Sequence, residues 1–350
     1  GMFRIAMPRA WDGPELDLLS QLRIIEELSA ADGSVGWCVM IGCDSGYLSA
    51  FLDQRVAREM YPDLDLVTAS SFGKPAGHAE RVPGGYRVSG RWRFGSGCQH
   101  SAWLVGGCVV HENGVPRINA EGLPETRCGF FPTEQCEIID TWRTTGLRGT
   151  GSNDFAVNDL FVPEERTMTW RNPVVHRAGI LYALPSIFVA KAAAVPLGIA
   201  REALHAFKQM AVKTTARQFV EDGRLTPATA MAEQAYVQAA VGRASALIGS
   251  ARSYLFGTMS DIWHTLSAGR RLNADQNSAY ILSITNTFAQ CTEAVDLLFK
   301  TVGGAAIYTG PFDRAFRDIH SASQHTAVSA RSYEMAGRAL LGARRMEFFF

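Results

Sequence analysis

The stretch YRVSGRWRF, residues 86–94, decides how the chain divides into regions, because its character alternates at every second residue. In an extended segment, one face would carry arginine and serine, and the other would carry large apolar side chains. The apolar face consists of Tyr86, Val88, Trp92 and Phe94. This alternation predicts a β-strand with one buried and one solvated face, introduced by the turn pair Gly84-Gly85.

Further strand patterns surround this stretch. They cover residues 103–110, 136–139 and 155–162, and clusters of Gly, Pro and Asn separate them. Short strands joined by such turns are typical of antiparallel sheets. The sequence therefore predicts that residues 66–168 form an antiparallel barrel or sandwich domain.

The region before the strands has a helical period. Between residues 14 and 60, leucine and isoleucine recur at intervals of three and four, at Leu18, Leu22, Ile25 and Leu28. This pattern predicts a helical domain over residues 1–65. Gly1 precedes Met2 and the chain opens almost inside a structured segment, so we expect this domain to be truncated at its start.

The region after the strands, residues 169–350, returns to a helical period and predicts a bundle of four long helices. Thr226 with Pro227, and Asn273 with Gln276, match helix start signals, the second pair as a capping box. The predicted helices cover residues 183–217, 227–268, 274–301 and 312–342. The last of them includes His320 and His325.

Composition argues against several classes of partner, although local charged patches remain possible. Lys plus Arg and Asp plus Glu both number 34, so no net field favours nucleic acid or an anionic membrane. The seven cysteines have no CxxC spacing, which is typical of reduced thiols in a cytoplasmic protein. The longest apolar run is interrupted by Lys191 and Pro196, which argues against a membrane span.

Several catalytic and binding motifs do not occur. The glycine-containing segments 95–100 and 146–154 lack the spacing of a Rossmann or P-loop nucleotide site, and there is no GxSxG elbow. His320 and His325 are five residues apart, so they would not share one face of a helix to bind a metal ion. We expect no metal site.

Four segments together resemble the acyl-CoA dehydrogenase superfamily, and more closely its branch of oxygenase components of two-component flavin-dependent monooxygenases. They are SGRWRFGSGCQHSAW (89–103), DTWRTTGLRGTGSNDFAVNDLFVP (140–163), VGGAAIYTGPFDRAFRDIH (302–320) and the Gln324-His325 pair. The resemblance implies an α+β protein with a helical N-terminal domain, a central antiparallel β-barrel and a C-terminal four-helix bundle. It also implies a flavin between barrel and bundle, and a homotetramer.

Departures from the dehydrogenase pattern favour the monooxygenase branch. By register with the family, the two positions of the glutamate that removes a proton from an acyl thioester fall on Thr326 and near Phe188. We therefore expect hydroxylation of a small aromatic, phenolic or polycyclic substrate with reduced flavin and O2. The flavin would be supplied by a separate NAD(P)H-dependent reductase. The alternatives are an acyl-CoA dehydrogenase with a displaced base and a non-enzymatic flavin-binding protein.

The resemblance places His325 at the flavin and substrate, with Ser96 and His100 as further candidate catalytic residues. An imidazole with a pKa near 6.5 would take or share the proton of a phenol with a pKa of about 10. The alternatives to a catalytic role are structural: helix packing for His325, and capping of strands for Ser96 and His100. For His320, a surface or subunit-contact role is favoured.

The same resemblance implies the cofactor-binding residues. Ser96 and its neighbours would reach the flavin N5 edge, Gly303 and Gly304 would approach phosphate, and Lys300 would suit the phosphate terminus of FMN as well as FAD. Arg217 is a weaker phosphate candidate from a neighbouring subunit. The full set is Ser70, Ser71, Phe72, Phe94, Gly95, Ser96, Gly97, Arg217, Lys300, Gly303 and Gly304.

Overall fold

The N-terminal region is helical, as predicted. The computed structural model describes residues 1–170, 173–184, 186–216, 224 and 228–343. The first helices are α1 (Leu18–Ala31), α2 (Gly33–Gly42), α3 (Asp44–Leu48) and α4 (Gln54–Met60). Aspartate side chains cap three of these helices by accepting backbone N–H groups, which explains where they begin. The capping residues are Asp17, Asp32 and Asp53.

The middle of the chain forms one mixed sheet. Its strands are β1 (Thr68–Ser71), β2 (Gly77–Val82), β3 (Gly85–Gly95), β4 (Trp103–Glu112), β5 (Val115–Pro116), β6 (Thr126–Pro132), β7 (Glu137–Ile139), β8 (Asn153–Pro163) and β9 (Thr167–Met168). The order is β7-β8-β3-β2-β4-β6-β9, and β1 and β5 also pair with β4. Strands were correctly predicted at β3, β4, β7 and β8.

The prediction of a purely antiparallel sheet is wrong. β1 and β2 both run parallel to β4, with Thr68 opposite Trp103 and Gly77 opposite Cys108. The remaining pairings in this sheet are antiparallel. The chain is therefore α+β with a mixed sheet.

Phe94 departs from the alternation that predicted it to be buried. Tyr86, Val88 and Trp92 are buried as expected, but Phe94 is 65% exposed. Its φ of 61° lies in the left-handed region, and the pairing of β3 with β8 shifts register between Trp92 and Gly95. This irregularity turns the phenyl ring out of the sheet core, and a bulky residue adopts such a backbone only where its surroundings hold it.

The C-terminal region is helical, with boundaries that differ in part from the prediction. The helices are α5 (Ala194–Lys213), α6 (Ala235–Ser267), α7 (Ala274–Val302), α8 (Pro311–Ala322) and α9 (Ala330–Leu340). The Asn273–Gln276 capping box begins α7 as predicted. Residues Ile187–Ala193, inside the predicted helix 183–217, form 3-10 helix, and α5 begins only after them.

The start of α6 is later than predicted. Thr229–Ala230 pairs with Thr215–Ala216 as a two-stranded ribbon, and the extended backbone that this requires delays the helix to Ala235. The predicted starting signals Thr226 and Pro227 lie outside the described residues.

A single helix over residues 312–342 is also a wrong prediction, because the chain breaks between α8 and α9. His325 has an extended backbone, with φ −64° and ψ 135°, and its side chain caps the short turn Thr326–Val328. Ser, His and Thr in this segment are weak helix formers whose polar groups compete for backbone hydrogen bonds. His325 therefore lies at a helix break and not on a helix face.

Helix α2 lies where the regions meet. It contacts β1, the turn Arg148–Thr150, the turn Ile187–Ala193 and α8.

Within the described residues, no helix is long and apolar enough to cross a membrane. In the same part of the chain, no group of three or more His, Cys, Asp or Glu side chains is arranged to hold a metal ion.

Candidate functional site

Trp37, on α2, connects two of the predicted site residues. Trp37 is 8% exposed, and its Nε1 donates a hydrogen bond to the Ser96 Oγ over 3.1 Å. The His325 ring lies edge-on to the same indole, with ring centroids 5.7 Å apart and an angle of 67°. Ser96 and His325 thus lie close together although they are far apart in sequence.

Ser96 also belongs to a chain of buried hydroxyl groups. Its Oγ lies 2.7 Å from the Ser152 Oγ, which lies 2.7 Å from the Thr150 Oγ1. The Thr150 hydroxyl donates to the Leu147 carbonyl oxygen over 2.8 Å. Ser96, Thr150 and Ser152 are each less than one-tenth exposed, so their hydroxyl groups bond to one another and to the protein instead of to water.

The imidazole of His325 is neutral at physiological pH. It packs against Trp37, and loss of water on burial lowers its pKa to about 4. Its Nδ1 accepts the Ala327 backbone N–H over 3.3 Å. A neutral imidazole that accepts at Nδ1 carries its hydrogen on Nε2, so this hydrogen-bond pattern assigns Nε2 as a donor.

Arg317 and Asp318 of α8 hold the loop of residues 145–147 through hydrogen bonds. The Leu147 N–H donates to the buried Asp318 Oδ1 over 2.6 Å, and Arg317 donates to the Thr145 carbonyl over 2.8 Å. Burial raises the pKa of the Asp318 carboxyl. A Cβ on Gly146 would lie 2.0 Å from the Arg317 carbonyl oxygen, so only glycine permits this approach.

The structure brings other predicted residues to the same edge of the sheet. The Ser71 hydroxyl donates to the Arg93 carbonyl over 2.6 Å, next to Phe94, whose ring meets Trp142 edge-on at 6.3 Å. The Gly97 N–H donates to the Thr150 carbonyl over 2.9 Å. Ser70 is partly buried at the end of β1, and Gly95 is buried at the end of β3.

Phe72, which follows β1, packs in a cluster of aromatic rings. Its ring centroid lies 4.4 Å from that of Trp170, and Trp170 lies 5.6 Å from Phe188. β1 and the turn that contains Phe188 both contact α2. The cluster therefore adjoins the helix that carries Trp37.

The remaining predicted residues lie elsewhere. His100 is exposed and packs against Phe3, with ring centroids 5.6 Å apart. Lys300, Gly303 and Gly304 are exposed around the end of α7, and open space surrounds both glycines. Arg217 lies outside the described residues.

Sequence analysis missed Trp37, Thr150 and Ser152. Thr150 and Ser152 lie within the segment 140–163 that carries the family resemblance, but the resemblance itself assigns them no role. Trp37 lies in the apolar, glycine-containing helix GSVGWCVMIG, where an indole is indistinguishable from an ordinary core residue. The available signal was a tryptophan between glycines in an otherwise aliphatic helix.

The family of the chain follows from comparison with known proteins. Residues 190–330 match the family described as "Acyl-CoA dehydrogenase, C-terminal domain". Indole-3-acetate monooxygenase of Acinetobacter baumannii is 30% identical over 348 residues, which covers 98% of this chain and 85% of that protein.

A second relative and a solved structure are also monooxygenases. Flavin-dependent monooxygenase, oxygenase subunit HsaA, of Rhodococcus jostii is 29% identical over 355 residues, covering 98% of this chain and 89% of the relative. The crystal structure of HsaA monooxygenase from M. tuberculosis superposes with a TM-score of 0.88 at 26% identity, covering 100% of this chain and 89% of that one. This chain is a flavin-dependent oxidoreductase that belongs to the acyl-CoA dehydrogenase superfamily, in its branch of flavin-dependent monooxygenase oxygenase components.

Proposed function

We propose that this protein hydroxylates a small aromatic substrate, phenolic or polycyclic, with reduced flavin from a separate reductase and with O2. The observation that carries the proposal is the placement of Ser96 and His325 against one buried indole, that of Trp37. A hydroxyl group and an imidazole thus both contact the Trp37 indole. The two groups suit a cofactor edge and a substrate oxygen, respectively.

The residues at this edge fit a flavin. A serine oxygen has one hydrogen to donate and two lone pairs, and Ser96 uses one lone pair for Trp37 and its hydrogen in the contact with Ser152. One lone pair remains for a further donor. Beside it, the strained backbone of Phe94 turns an exposed ring toward solvent, which suits stacking on a planar cofactor. When bound, reduced flavin supplies the two electrons that allow O2 to deliver one oxygen atom to the substrate.

His325 would act on the substrate oxygen. Its Nδ1 accepts the Ala327 backbone N–H, so the hydrogen that the neutral imidazole can donate is on Nε2. A substrate that binds as the phenolate, after losing its proton to solvent, would be stabilised by donation from Nε2–H, and the phenolate ring is the stronger nucleophile at its ortho carbon. The imidazole therefore acts as a hydrogen-bond donor and does not remove the phenol proton, since burial lowers the pKa of His325 to about 4.

The aromatic cluster supports an aromatic substrate. Phe72, Trp170 and Phe188 offer ring faces and edges with which another ring can stack. By register with the family, the base of some dehydrogenases of the superfamily would fall near Phe188, which supplies no carboxylate. The names of the relatives include an indole-3-acetate monooxygenase and a resorcinol hydroxylase, and both names refer to aromatic compounds.

The domain layout and assembly are part of the same proposal. We assign residues 1–65 to a helical domain, 66–168 to a β-barrel and 169–350 to a four-helix bundle, with a homotetramer as the assembled form. Exposed apolar side chains near Gly303 and Gly304, including Ile307 at 73% and Tyr308 at 74%, support a subunit contact there. Lys300 beside them suits a flavin phosphate, from FMN or FAD.

The test supplies the protein with a generic NAD(P)H:flavin reductase, flavin and isotopically labelled O2, together with a panel of phenols, indoles and polycyclic phenols. We expect at least one substrate to gain one labelled oxygen atom, as read by mass spectrometry. The control omits this protein and leaves the reductase in place. If reduced flavin binds but every substrate is recovered unchanged, the proposed reaction is wrong.

A further inference from the structure

The buried hydroxyl chain has a donor-only group at one end and an acceptor-only group at the other. The Trp37 Nε1–H can only donate, and it donates to Ser96. The Leu147 carbonyl can only accept, and it accepts from the Thr150 hydroxyl. The Leu147 end fixes the direction of the hydrogen bonds between them, and the donation from Trp37 is compatible with that direction.

The direction follows step by step from Leu147. Thr150 has one hydroxyl hydrogen, which goes to Leu147, so its oxygen must accept from Ser152 across their 2.7 Å contact. Ser152 has then used its hydrogen, so its oxygen accepts from Ser96 across 2.7 Å. The Ser96 hydrogen is committed to Ser152, and its oxygen presents only a lone pair to a ligand.

We infer that the Thr150–Ser152 pair makes Ser96 a pure acceptor and thereby selects the reduced flavin over the oxidised flavin. This inference rests on the proposed function, which places the flavin N5 at Ser96. Reduced flavin has a hydrogen on N5 and can donate it to Ser96. Oxidised flavin has only a lone pair on N5, which would face the lone pair of Ser96. Thr150 and Ser152 are positioning residues in this scheme, because they act through Ser96.

Such selection suits a protein that receives its reduced flavin from a separate reductase. Oxidised flavin is also present in that system and competes for the same site. A serine free to rotate would donate to oxidised N5 as readily as it accepts from reduced N5. A fixed serine disfavours the oxidised competitor without any change in the shape of the site.

Thr150→Val tests the direction of the chain, because valine keeps the shape of threonine and lacks the hydroxyl. Ser152 then has no acceptor at position 150 and turns its hydrogen toward Ser96, which frees the Ser96 hydrogen for the ligand. The Leu147 carbonyl keeps two donors, the Thr150 backbone N–H at 3.1 Å and the Trp142 Nε1 at 3.0 Å. The substitution therefore leaves this carbonyl satisfied.

The measurement is the ratio of the dissociation constants of oxidised and reduced flavin, titrated anaerobically, together with the midpoint potential of the bound flavin. We expect Thr150→Val to lower the preference for reduced flavin by about tenfold, since one neutral hydrogen bond changes its direction. Tenfold corresponds to about 30 mV in a two-electron potential. Thr150→Ser, which restores a hydroxyl, should keep the preference of the parent protein.

Two further variants separate the possible failures. Ser152→Ala removes the acceptor of the Ser96 hydrogen and should also lower the preference for reduced over oxidised flavin. This variant replaces Thr150→Val in the test if Thr150→Val does not fold. Ser96→Ala should weaken the binding of reduced flavin. If Ser96→Ala has no effect, the flavin does not lie at Ser96 and the proposed site is wrong. If Ser96→Ala weakens binding but Thr150→Val and Ser152→Ala leave the ratio unchanged, the inferred direction is wrong.

Discussion

Replacing His325 by alanine is expected to lower the rate of substrate hydroxylation by about 100-fold or more, within the range for loss of a positioned proton donor or acceptor. The reason is that Nε2–H would no longer stabilise the phenolate oxygen, while Trp37 and Ser96 stay in place. Flavin binding should change little, so a growing share of the electrons should appear as hydrogen peroxide. Product and peroxide are quantified in the same reactions.

His320 supplies the matched control, since it is a second histidine five residues away on α8. Its Nε2 lies 2.8 Å from the Asp296 Oδ1, and its ring packs against Phe316. The contact with Asp296 joins α8 to α7, the contact with Phe316 lies within α8, and neither involves Trp37. His320→Ala should therefore keep most of the hydroxylation rate. Equal losses in the two variants, or no loss in His325→Ala, would contradict the role proposed for His325.

Replacing Gly146 by alanine is expected to lower the free energy of unfolding by about 3 kcal/mol, the upper part of the range for overpacking. The new Cβ would lie 2.0 Å from the Arg317 carbonyl oxygen and 2.3 Å from its carbon. Both atoms belong to the backbone of α8 and cannot rotate away. The displacement would also separate the Leu147 N–H from Asp318, leaving a buried carboxylate without this partner.

The control is Gly257→Ala on α6, where no atom lies within 4 Å of the added Cβ. Alanine favours a helix over glycine by up to about 1 kcal/mol, so this variant should be equal to or more stable than the parent protein. Denaturant unfolding of both variants measures the difference. If Gly146→Ala unfolds at the same denaturant concentration as the parent, the close approach between the loop and α8 is wrong.

Local patterns in the sequence predicted much of the fold, because burial follows the period of each element. The alternation of residues 86–94 and the helical repeat after residue 14 both correspond to elements with one buried face. The Asn273–Gln276 capping box also identified the start of α7, since its two hydrogen bonds are local.

Features that depend on contacts between distant residues could not be predicted from local sequence patterns. The parallel pairing of β1 and β2 with β4 depends on the order of the strands in the sheet. The alternation of apolar and polar residues along a half-buried strand does not reveal whether its neighbour runs parallel or antiparallel. The break at His325 and the left-handed backbone of Phe94 are exceptions to their local patterns. Both exceptions lie at the candidate site, where local preferences often yield to function.

The candidate site was predicted in part. Ser96 and His325 were identified because the resemblance covers the segments that contain them, and the structure brings both against one indole. Trp37 carries that contact and lies outside those segments. Its role depends on tertiary packing, since α2 reaches the sheet edge and the α8 break only in the folded chain.

The most direct measurement is a crystal structure of the protein grown anaerobically with reduced flavin. The account predicts that the flavin N5 lies about 3 Å from the Ser96 Oγ. It also predicts that the His325 imidazole faces the adjoining substrate space. A flavin bound away from Trp37, or an aspartate or glutamate facing the reactive edge of the flavin in place of His325, would contradict it.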